Sequence, residues 1–379
     1  MTNKKNILHV VTVSFSIPIF FKNQFKYFEN LQSTYLACSS SADFYKYSKD
    51  YNFKPIVIDI TRKISPFKDI VTLIQLSNAI DKYKIDVIVG HTPKAALLAM
   101  IIGSIKKVKK RIYFKHGLLF ETQTGLKKQI FIYLEKLTEY FSTNVICVSD
   151  SLINLSINYK LGNPLKYHLL NKGTCNGIDF LNKFNKDFFN NNILNEIKNK
   201  YHLNNYNFIV GYVGRLANDK GINELIDAWK ILEENHPNML LLLVGPIDQR
   251  DPIDINKFNS IKNYIRFDFV NNPELFYCLM DIFILPSYRE GFPTVNLEAS
   301  AMKLPVITTK STGCVDSIIP DVTGIITSIN PSAISNSILY YYNNTYLIKI
   351  HGENGRKFII DNFHQEKIWK SLSSIYFDN

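Results

Sequence analysis

Short apolar runs recur along the chain, and the longer stretches between them bring apolar residues back every three or four positions. Residues 7–13, 35–39, 55–60, 86–90, 112–115 and 144–148 are too short for helices, and several are rich in Ile and Val, so they read as strands. Residues 66–84 read as a helix, with Ile70, Leu73, Ile74, Leu76 and Ile80 close to one apolar face, and residues 126–141 as a helix of mixed face. The rhythm restarts at Phe208. Residues 208–213, 240–244, 265–270, 281–285, 304–308 and 324–326 read as strands, residues 222–235 and 273–280 as helices, and residues 346–376 as one or two closing helices. Strand and helix alternating in this way predict an α/β fold of doubly wound parallel sheets with right-handed crossovers.

A length of 379 residues suits two such domains. The expected division is a first Rossmann-like domain over 1–180, an Asn- and Lys-rich linker over 181–205, a second Rossmann-like domain over 206–360, and a last helix over 361–379. The 46% hydrophobic content is that of a globular protein. The five cysteines form no C-x-x-C pair and no Cys/His cluster, which argues against structural zinc or a disulfide framework and suits a reducing cytoplasm. The first residues lack the apolar core of a signal peptide, and no apolar run reaches the roughly 18 residues a spanning helix needs. Residues 1–175 hold 25 Lys and Arg against 11 Asp and Glu, whereas the remainder holds 19 against 22. A basic first half suits an anionic surface or ligand. No nucleic acid is expected, because no helix-turn-helix, zinc-finger or RNP-type signature accompanies the charge.

The richest chemistry lies in residues 285–300. An apolar strand ends in the loop Pro286-Ser-Tyr-Arg-Glu-Gly-Phe-Pro293, and Thr294 reads as the N-cap of an amphipathic helix over 295–302. Two carboxylates, Glu290 and Glu298, thus flank a helix N-terminus whose free N–H groups and dipole suit a phosphate. Two acceptors beside a phosphate seat suit a nucleotide sugar, since ribose and hexose both present hydroxyl pairs. Upstream, a strand ending near Lys115 places His116 and Gly117 at the carboxyl edge of its sheet, where doubly wound folds bind ligands. His91 sits at another strand end. Gly214, Arg215 and Lys220 follow the strand over 208–213.

The Glu-x7-Glu spacing of Glu290 and Glu298, within its strand–loop–helix context, resembles glycosyltransferase family 4, the retaining sugar transferases of the GT-B fold. The segment Ser287-Tyr-Arg-Glu-Gly-Phe-Pro293 is similar to members that build bacterial capsule and O-antigen. The resemblance implies two facing Rossmann-like domains, a nucleotide-sugar donor (a UDP-sugar) and a glycan acceptor linked to a polyprenyl diphosphate. It implies that His116 and Glu290 act on the donor sugar. Donor binding is assigned to Gly214, Arg215, Lys220, Gly291, Phe292, Pro293, Thr294, Val295 and Glu298, with Glu298 on the ribose. No Asp-x-Asp occurs, so no cofactor and no metal is expected. Peripheral attachment to an anionic membrane surface is expected through residues 106–111, Lys127 and Lys128, with Leu118, Leu119 and Phe120 inserting beside them. Two rivals use the same fold: a nucleotide-sugar 2-epimerase, and a non-catalytic sugar-nucleotide-binding subunit.

Overall fold

The computed structural model describes residues 4–63 and 65–378; residues 1–3, part of the segment that argued against a signal peptide, lie outside these. The chain divides into two compact units, residues 4–176 with 365–378, and Gly177–His364.

The first unit runs β1 (Lys5–Val10), α1 (Ile17–Phe20), α2 (Gln24–Tyr27), β2 (Gln32–Cys38), α3 (Ala42–Asp50), β3 (Lys54–Val57), α4 (Pro66–Tyr83) and β4 (Val87–Gly90). It continues with α5 (Pro93–Ile105), β5 (Lys110–Lys115), α6 (Gly125–Phe141), β6 (Asn144–Cys147), α7 (Asp150–Asn158) and β7 (Tyr167–Leu169). Its strands are all parallel, in the order β3-β2-β1-β4-β5-β6-β7. The order reverses between β1 and β4, which are neighbours although β2 and β3 separate them in sequence.

The second unit runs α8 (Asn191–Lys200), β8 (Phe208–Val213), α9 (Ile222–Glu233), β9 (Met239–Val244), β10 (Tyr264–Phe267), α10 (Pro273–Tyr277) and β11 (Ile282–Leu285). Then come α11 (Thr294–Ala301), β12 (Val306–Thr309), β13 (Gly324–Thr327), α12 (Pro331–Asn343) and α13 (Thr345–Asn362). Its parallel strands follow the order β10-β9-β8-β11-β12-β13, so the reversal falls between β8 and β11. Every residue of β8, β9 and β11 is buried, as expected of strands covered on both faces.

The last helix, α14 (Gln365–Phe377), belongs to the first unit. Trp369 Nε1 donates to Asn176 Oδ1 at 3.0 Å, and Tyr376 is fully buried with its ring 6.1 Å from that of Phe28. Residues 181–205, expected to be a linker, are part of the second unit. Phe184 and Leu203 are buried in its core, and Arg356 Nη1 donates to the carbonyls of Phe184 (2.6 Å) and Ala301 (2.7 Å). The polar composition of this stretch hid a few well-spaced apolar anchors, and these tie it down.

The pairing in the first unit also corrects the role expected of residues 106–111, Leu118 and Phe120 in meeting a membrane. Residues 106–111 sit at the amino edge of the sheet, whereas His116 follows the carboxyl end of β5. Lys106 pairs with Asp81 at 2.6 Å, Lys110 donates to the Ile375 carbonyl at 2.9 Å, and Arg111 Nε donates to the Phe141 carbonyl at 2.7 Å. Leu118 and Phe120 are fully buried. The basic run is thus largely occupied in closing the amino edge, and two of the three apolar residues meant to insert are core. Among the described residues, no helix is long and apolar enough to cross a membrane.

Candidate functional site

In the second unit the candidate residues gather at the carboxyl ends of β8 and β11, at the reversal of strand order, where an open sheet leaves a crevice. Gly214 follows β8 with φ +148°, and Gly245 follows β9 with φ +143°. A Cβ on Gly245 would collide with the Gly214 carbonyl, so glycine is what lets the two loops abut. The loop after β11 is tied to the loop after β8. Ser287 Oγ donates to the Asp219 carbonyl at 3.0 Å, and the Tyr288 N–H donates to the same oxygen at 2.9 Å.

This tie brings Lys220 and Glu290 together: Lys220 Nζ donates to Glu290 Oε1 at 2.5 Å, and both side chains are mostly buried. The Glu290 N–H donates to the Thr312 carbonyl at 3.2 Å, which fixes the loop from its other side. Gly313 (φ +76°) packs under Gly291, where a Cβ would strike the Gly291 carbonyl. Arg215 is ion-paired with Asp248, and Arg250 Nε lies 3.3 Å from the same carboxylate. Asp248 therefore takes up part of the charge assigned to an incoming diphosphate. Arg215 is held from the other side through its carbonyl, which accepts from Tyr212 at 2.7 Å. Burial, and after it Glu290, push the Tyr212 phenol well above its usual range, so it stays a neutral donor.

Helix α11 begins one residue earlier than its expected start, with Pro293 as N-cap and no side-chain cap. Proline's fixed φ suits the entry to a helix, which leaves Thr294 and Val295 in the first turn, where N–H groups lack intrahelical partners. The helix is not amphipathic but buried nearly all round: Asn296 Nδ2 donates to Ser317 Oγ at 2.8 Å inside the unit. Glu298 Oε2 accepts from the Tyr277 hydroxyl at 3.0 Å, and burial followed by Glu298 raises that phenol far above its ordinary pKa. Phe292 packs on Phe363 with ring centroids 5.6 Å apart. The candidate site is thus a helix N-terminus flanked by two carboxylates, Glu290 and Glu298, held by Lys220 and Tyr277 respectively. Among the described residues, no group of three or more His, Cys, Asp or Glu side chains is placed to hold a metal ion.

In the first unit His116 ends a chain of three imidazoles. His9 lies on β1 opposite Val89 of β4, and Val89 lies opposite Ile112 of β5. His91 is two residues beyond Val89 and His116 four beyond Ile112, so all three share one face of the sheet. His9 Nδ1 lies 2.9 Å from His91 Nε2, and His91 Nδ1 lies 3.2 Å from His116 Nε2. Phe20 stacks on His116 at 3.8 Å and 12°. Burial pushes His9 and His116 down to about 3, and His91 well below its usual value. All three are neutral at pH 7, so His116 is a hydrogen-bonding group and not a cation. Whichever way the protons run, the chain fixes the tautomer of His116.

A pH dependence follows. The unfolded chain protonates these histidines near their ordinary pKa of about 6.5, while the folded chain keeps them neutral. Protons therefore favour unfolding, and stability is lost as pH falls from 6.5 towards about 3. Once well below 6.5, each fully buried histidine contributes a slope of about 1.4 kcal/mol per pH unit. His9→Phe is expected to flatten the acid limb by one such increment, read from urea midpoints at about pH 6 and about pH 4.5. An unchanged slope would show that His9 is not held neutral.

Sequence reasoning missed the partners Asp248, Tyr277 and His9, and gave His91 only a minor place. Asp248 carried a usable signal, a carboxylate three residues after the Gly245 that ends β9. Residues 195–358 match the family described as glycosyl transferases group 1, and residues 7–149 match glycosyl transferase 4-like. The capsular polysaccharide biosynthesis glycosyltransferase CapM of Staphylococcus aureus is 35% identical over 99% of this chain and 97% of its own length. The Escherichia coli UDP-Gal:alpha-D-GlcNAc-diphosphoundecaprenol alpha-1,3-galactosyltransferase is 26% identical over 90% of this chain and 88% of its own. Among solved structures, Anabaena HepE in complex with UDP and glucose superposes with a TM-score of 0.82 at 17% identity, covering 98% of this chain and 99% of that one. With the two parallel sheets and the likeness to CapM along almost the whole chain, this protein belongs to glycosyltransferase family 4, with the GT-B fold.

Proposed function

We propose that this protein transfers a hexosyl or N-acetylhexosaminyl residue from a UDP-sugar, with retention, to a glycan carried on a polyprenyl diphosphate, in the building of a cell-surface polysaccharide. The observation that carries this reading is the Lys220–Glu290 pair at the strand-order reversal beside the N-terminus of α11. A cation for the leaving diphosphate and a carboxylate for sugar hydroxyls stand within one hydrogen bond of each other. The likeness to the capsule enzyme and to the enzyme named for UDP-galactose and a diphosphoundecaprenol acceptor supports the substrate classes.

In this reading Gly214 and Gly291 give the diphosphate close backbone approach, and the N–H groups of Thr294 and Val295 receive it together with Lys220 and Arg215. Phe292 and Pro293 shape the loop, Glu298 holds the ribose hydroxyls and Glu290 those of the sugar. Neutral His116 hydrogen-bonds the donor sugar. The acceptor hydroxyl attacks the anomeric carbon from the face of the leaving group. The carbon–phosphate oxygen bond breaks, the new glycosidic bond forms, and the departing phosphate oxygen takes the acceptor's proton. Cationic stabilisation of that oxygen is the main electrostatic contribution.

The test is a screen of UDP- and GDP-sugars for protection against thermal unfolding. A ligand at 100 times its dissociation constant adds about 2.7 kcal/mol of stability. A shift with UDP-sugars is expected, and no shift with any nucleotide sugar would reject the donor assignment. Since Lys220, Arg215 and the helix N-terminus carry the diphosphate, transfer should persist in excess EDTA. Complete loss restored by Mg²⁺ or Mn²⁺ would show that a metal shares that role.

A further inference from the structure

We propose that Phe20 orients the imidazole of His116 towards the donor sugar and that Asn176 holds Phe20 in place, which makes both of them positioning residues of the transfer reaction. This rests on the reading of His116 as the group that hydrogen-bonds that sugar.

The segment after β1 departs from what its place in the fold leads one to expect. A doubly wound sheet binds its ligand beside the turn after the first strand, where glycines let the backbone come close. This chain has no glycine before Gly90, and residues 15–28 instead carry Phe15, Phe20, Phe21, Phe25, Tyr27 and Phe28. Three of these rings pack on the three imidazoles. Phe25 lies 4.9 Å from His9, Phe21 meets His91 edge-on at 4.8 Å and 81°, and Phe20 lies flat on His116 at 3.8 Å and 12°. Aromatic pairs more often stand about 4.5–7 Å apart, offset or edge-to-face. Phe21 and Phe25 are fully buried, whereas Phe20 is only partly buried. Core packing accounts for the first two, but it does not call for a half-covered ring laid parallel on an imidazole.

The stack supplies a restraint that hydrogen bonding leaves open. His116 Nε2 lies 3.2 Å from His91 Nδ1, which fixes one atom of the ring. A single hydrogen bond still lets the ring tilt, because χ2 of histidine occupies a broad well. Flat contact with Phe20, and with Phe114 at 4.8 Å and 7°, sets the plane. With Nε2 engaged and the plane set, Nδ1 is the nitrogen left for a sugar hydroxyl, and its direction is fixed before the donor arrives.

Phe20 is in turn held by a buried amide. It is the last residue of α1, a helix of four residues, and a carbonyl at a helix C-terminus lacks an intrahelical partner. Asn176 Nδ2 donates to that carbonyl. Asn176 Oδ1 accepts from Trp369 Nε1 of α14 at 3.0 Å and from Gln24 Nε2 of α2 at 3.3 Å. Asn176, Gln24 and Trp369 are all buried. Only an amide offers a donor to the carbonyl and an acceptor to the two N–H groups from one short side chain; a carboxylate has no donor to give. Asn176 is also the last residue of the first unit before the chain passes into the second, and Trp369 comes shortly after its return at Gln365. One side chain thus ties both crossings to the backbone that carries the ring on His116.

The test has a spectroscopic arm and a kinetic arm, both on the full-length protein. The Hε1 proton of His116 is observed by NMR with isotope-labelled histidine and assigned by its loss in His116→Ala. A proton over the face of a phenyl ring is shielded, so this signal should move downfield in Phe20→Leu. It should move the same way in Asn176→Asp, which keeps the acceptor and loses the donor to Phe20, and in Asn176→Ala. UDP release is then measured with UDP-glucose, UDP-galactose and UDP-N-acetylglucosamine, using whichever the wild type turns over fastest. Phe20→Leu should lower kcat/KM by at least about threefold. In a His116→Ala background the same change should cost nothing further, because Phe20 acts through the imidazole. An unmoved His116 signal in Phe20→Leu, unchanged kcat/KM in that variant whatever its melting temperature, or losses that multiply in the double variant overturns the proposal. An unmoved signal in both Asn176 variants overturns the part given to Asn176. The reading of His116 fails separately, by wild-type turnover in His116→Ala. No UDP release by the wild type rejects the donor assignment, and the NMR arm, which needs no substrate, still decides whether Phe20 and Asn176 set the imidazole.

Discussion

Glu290→Gln is expected to lower transferase turnover by at least about tenfold, a rise in barrier of roughly 1.4 kcal/mol or more, while the protein stays folded. Glutamine keeps the size of the side chain and removes its charge. The Lys220 ammonium, now 2.5 Å from a carboxylate oxygen, would then lose its counter-charge, and the donor's hydroxyls would lose a charged acceptor. If the contact with the sugar strengthens as positive charge develops at the anomeric carbon, the loss appears in kcat more than in KM. His116→Ala should act in the same sense by a different route. It removes a neutral hydrogen-bonding group and leaves His91 Nδ1 without its 3.2 Å partner. His116→Gln retains a hydrogen-bonding side chain and should recover part of the loss. Circular dichroism and melting curves establish that the variants are folded. A folded Glu290→Gln, His116→Ala double variant with wild-type turnover would remove both residues from the site.

The strands were legible because parallel strands covered on both faces read as unbroken apolar runs, as β8, β9 and β11 do. At the sheet edge the signal weakens: β10 is only partly buried, and it ends at Phe267 instead of continuing to 270. The Glu290–Glu298 half of the candidate site was legible because it lies within one strand–loop–helix unit. Its partners were not, since Asp248 is 33 residues from Arg215, Tyr277 is 21 from Glu298, and His9 is 82 from His91. No local pattern announces a pairing made by strand order. Helix α4 misled for another reason: Ile70 and Ile74, read on one apolar face with Leu76 and Ile80, are exposed. Periodicity reports that a face is apolar but not what covers it, and Ile70 and Ile74 fit a core face as well as an exposed one. The basic run at 106–111 misled because proximity in sequence to Leu118 and Phe120 was taken for proximity in space, although β5 carries the chain across the sheet between them.

Lys115→Met and Glu139→Leu are each expected to destabilise the protein by about 3–5 kcal/mol. That is a large share of the roughly 5–15 kcal/mol typical of a folded domain. The two side chains form an ion pair with no solvent exposure on either partner. Lys115 Nζ also donates to Ser156 Oγ at 2.9 Å, and Glu139 Oε2 accepts from the Tyr167 hydroxyl at 2.7 Å. Burial pushes the ammonium pKa down, and the surrounding acidic groups more than offset this, so the net direction is up. Cys147 contributes little of that at neutral pH, because burial raises its own thiol to about 12 and leaves it uncharged. Glu135 is likewise pushed up by burial, to about 7, so Glu139 is the principal counter-charge. Removing either member strands the other in a dry interior, whereas Lys115→Met with Glu139→Leu removes both charges and should cost less than the sum of the single changes. Lys115 is the last residue of β5 and His116 follows it directly, so the pair also anchors the backbone that carries His116. Activity should therefore fall in the single variants even at temperatures where they remain folded. Urea unfolding of the four proteins in the cycle gives the coupling. Single-variant losses below about 1 kcal/mol, the range of an exposed pair, would mean that this pair does not hold the strand end.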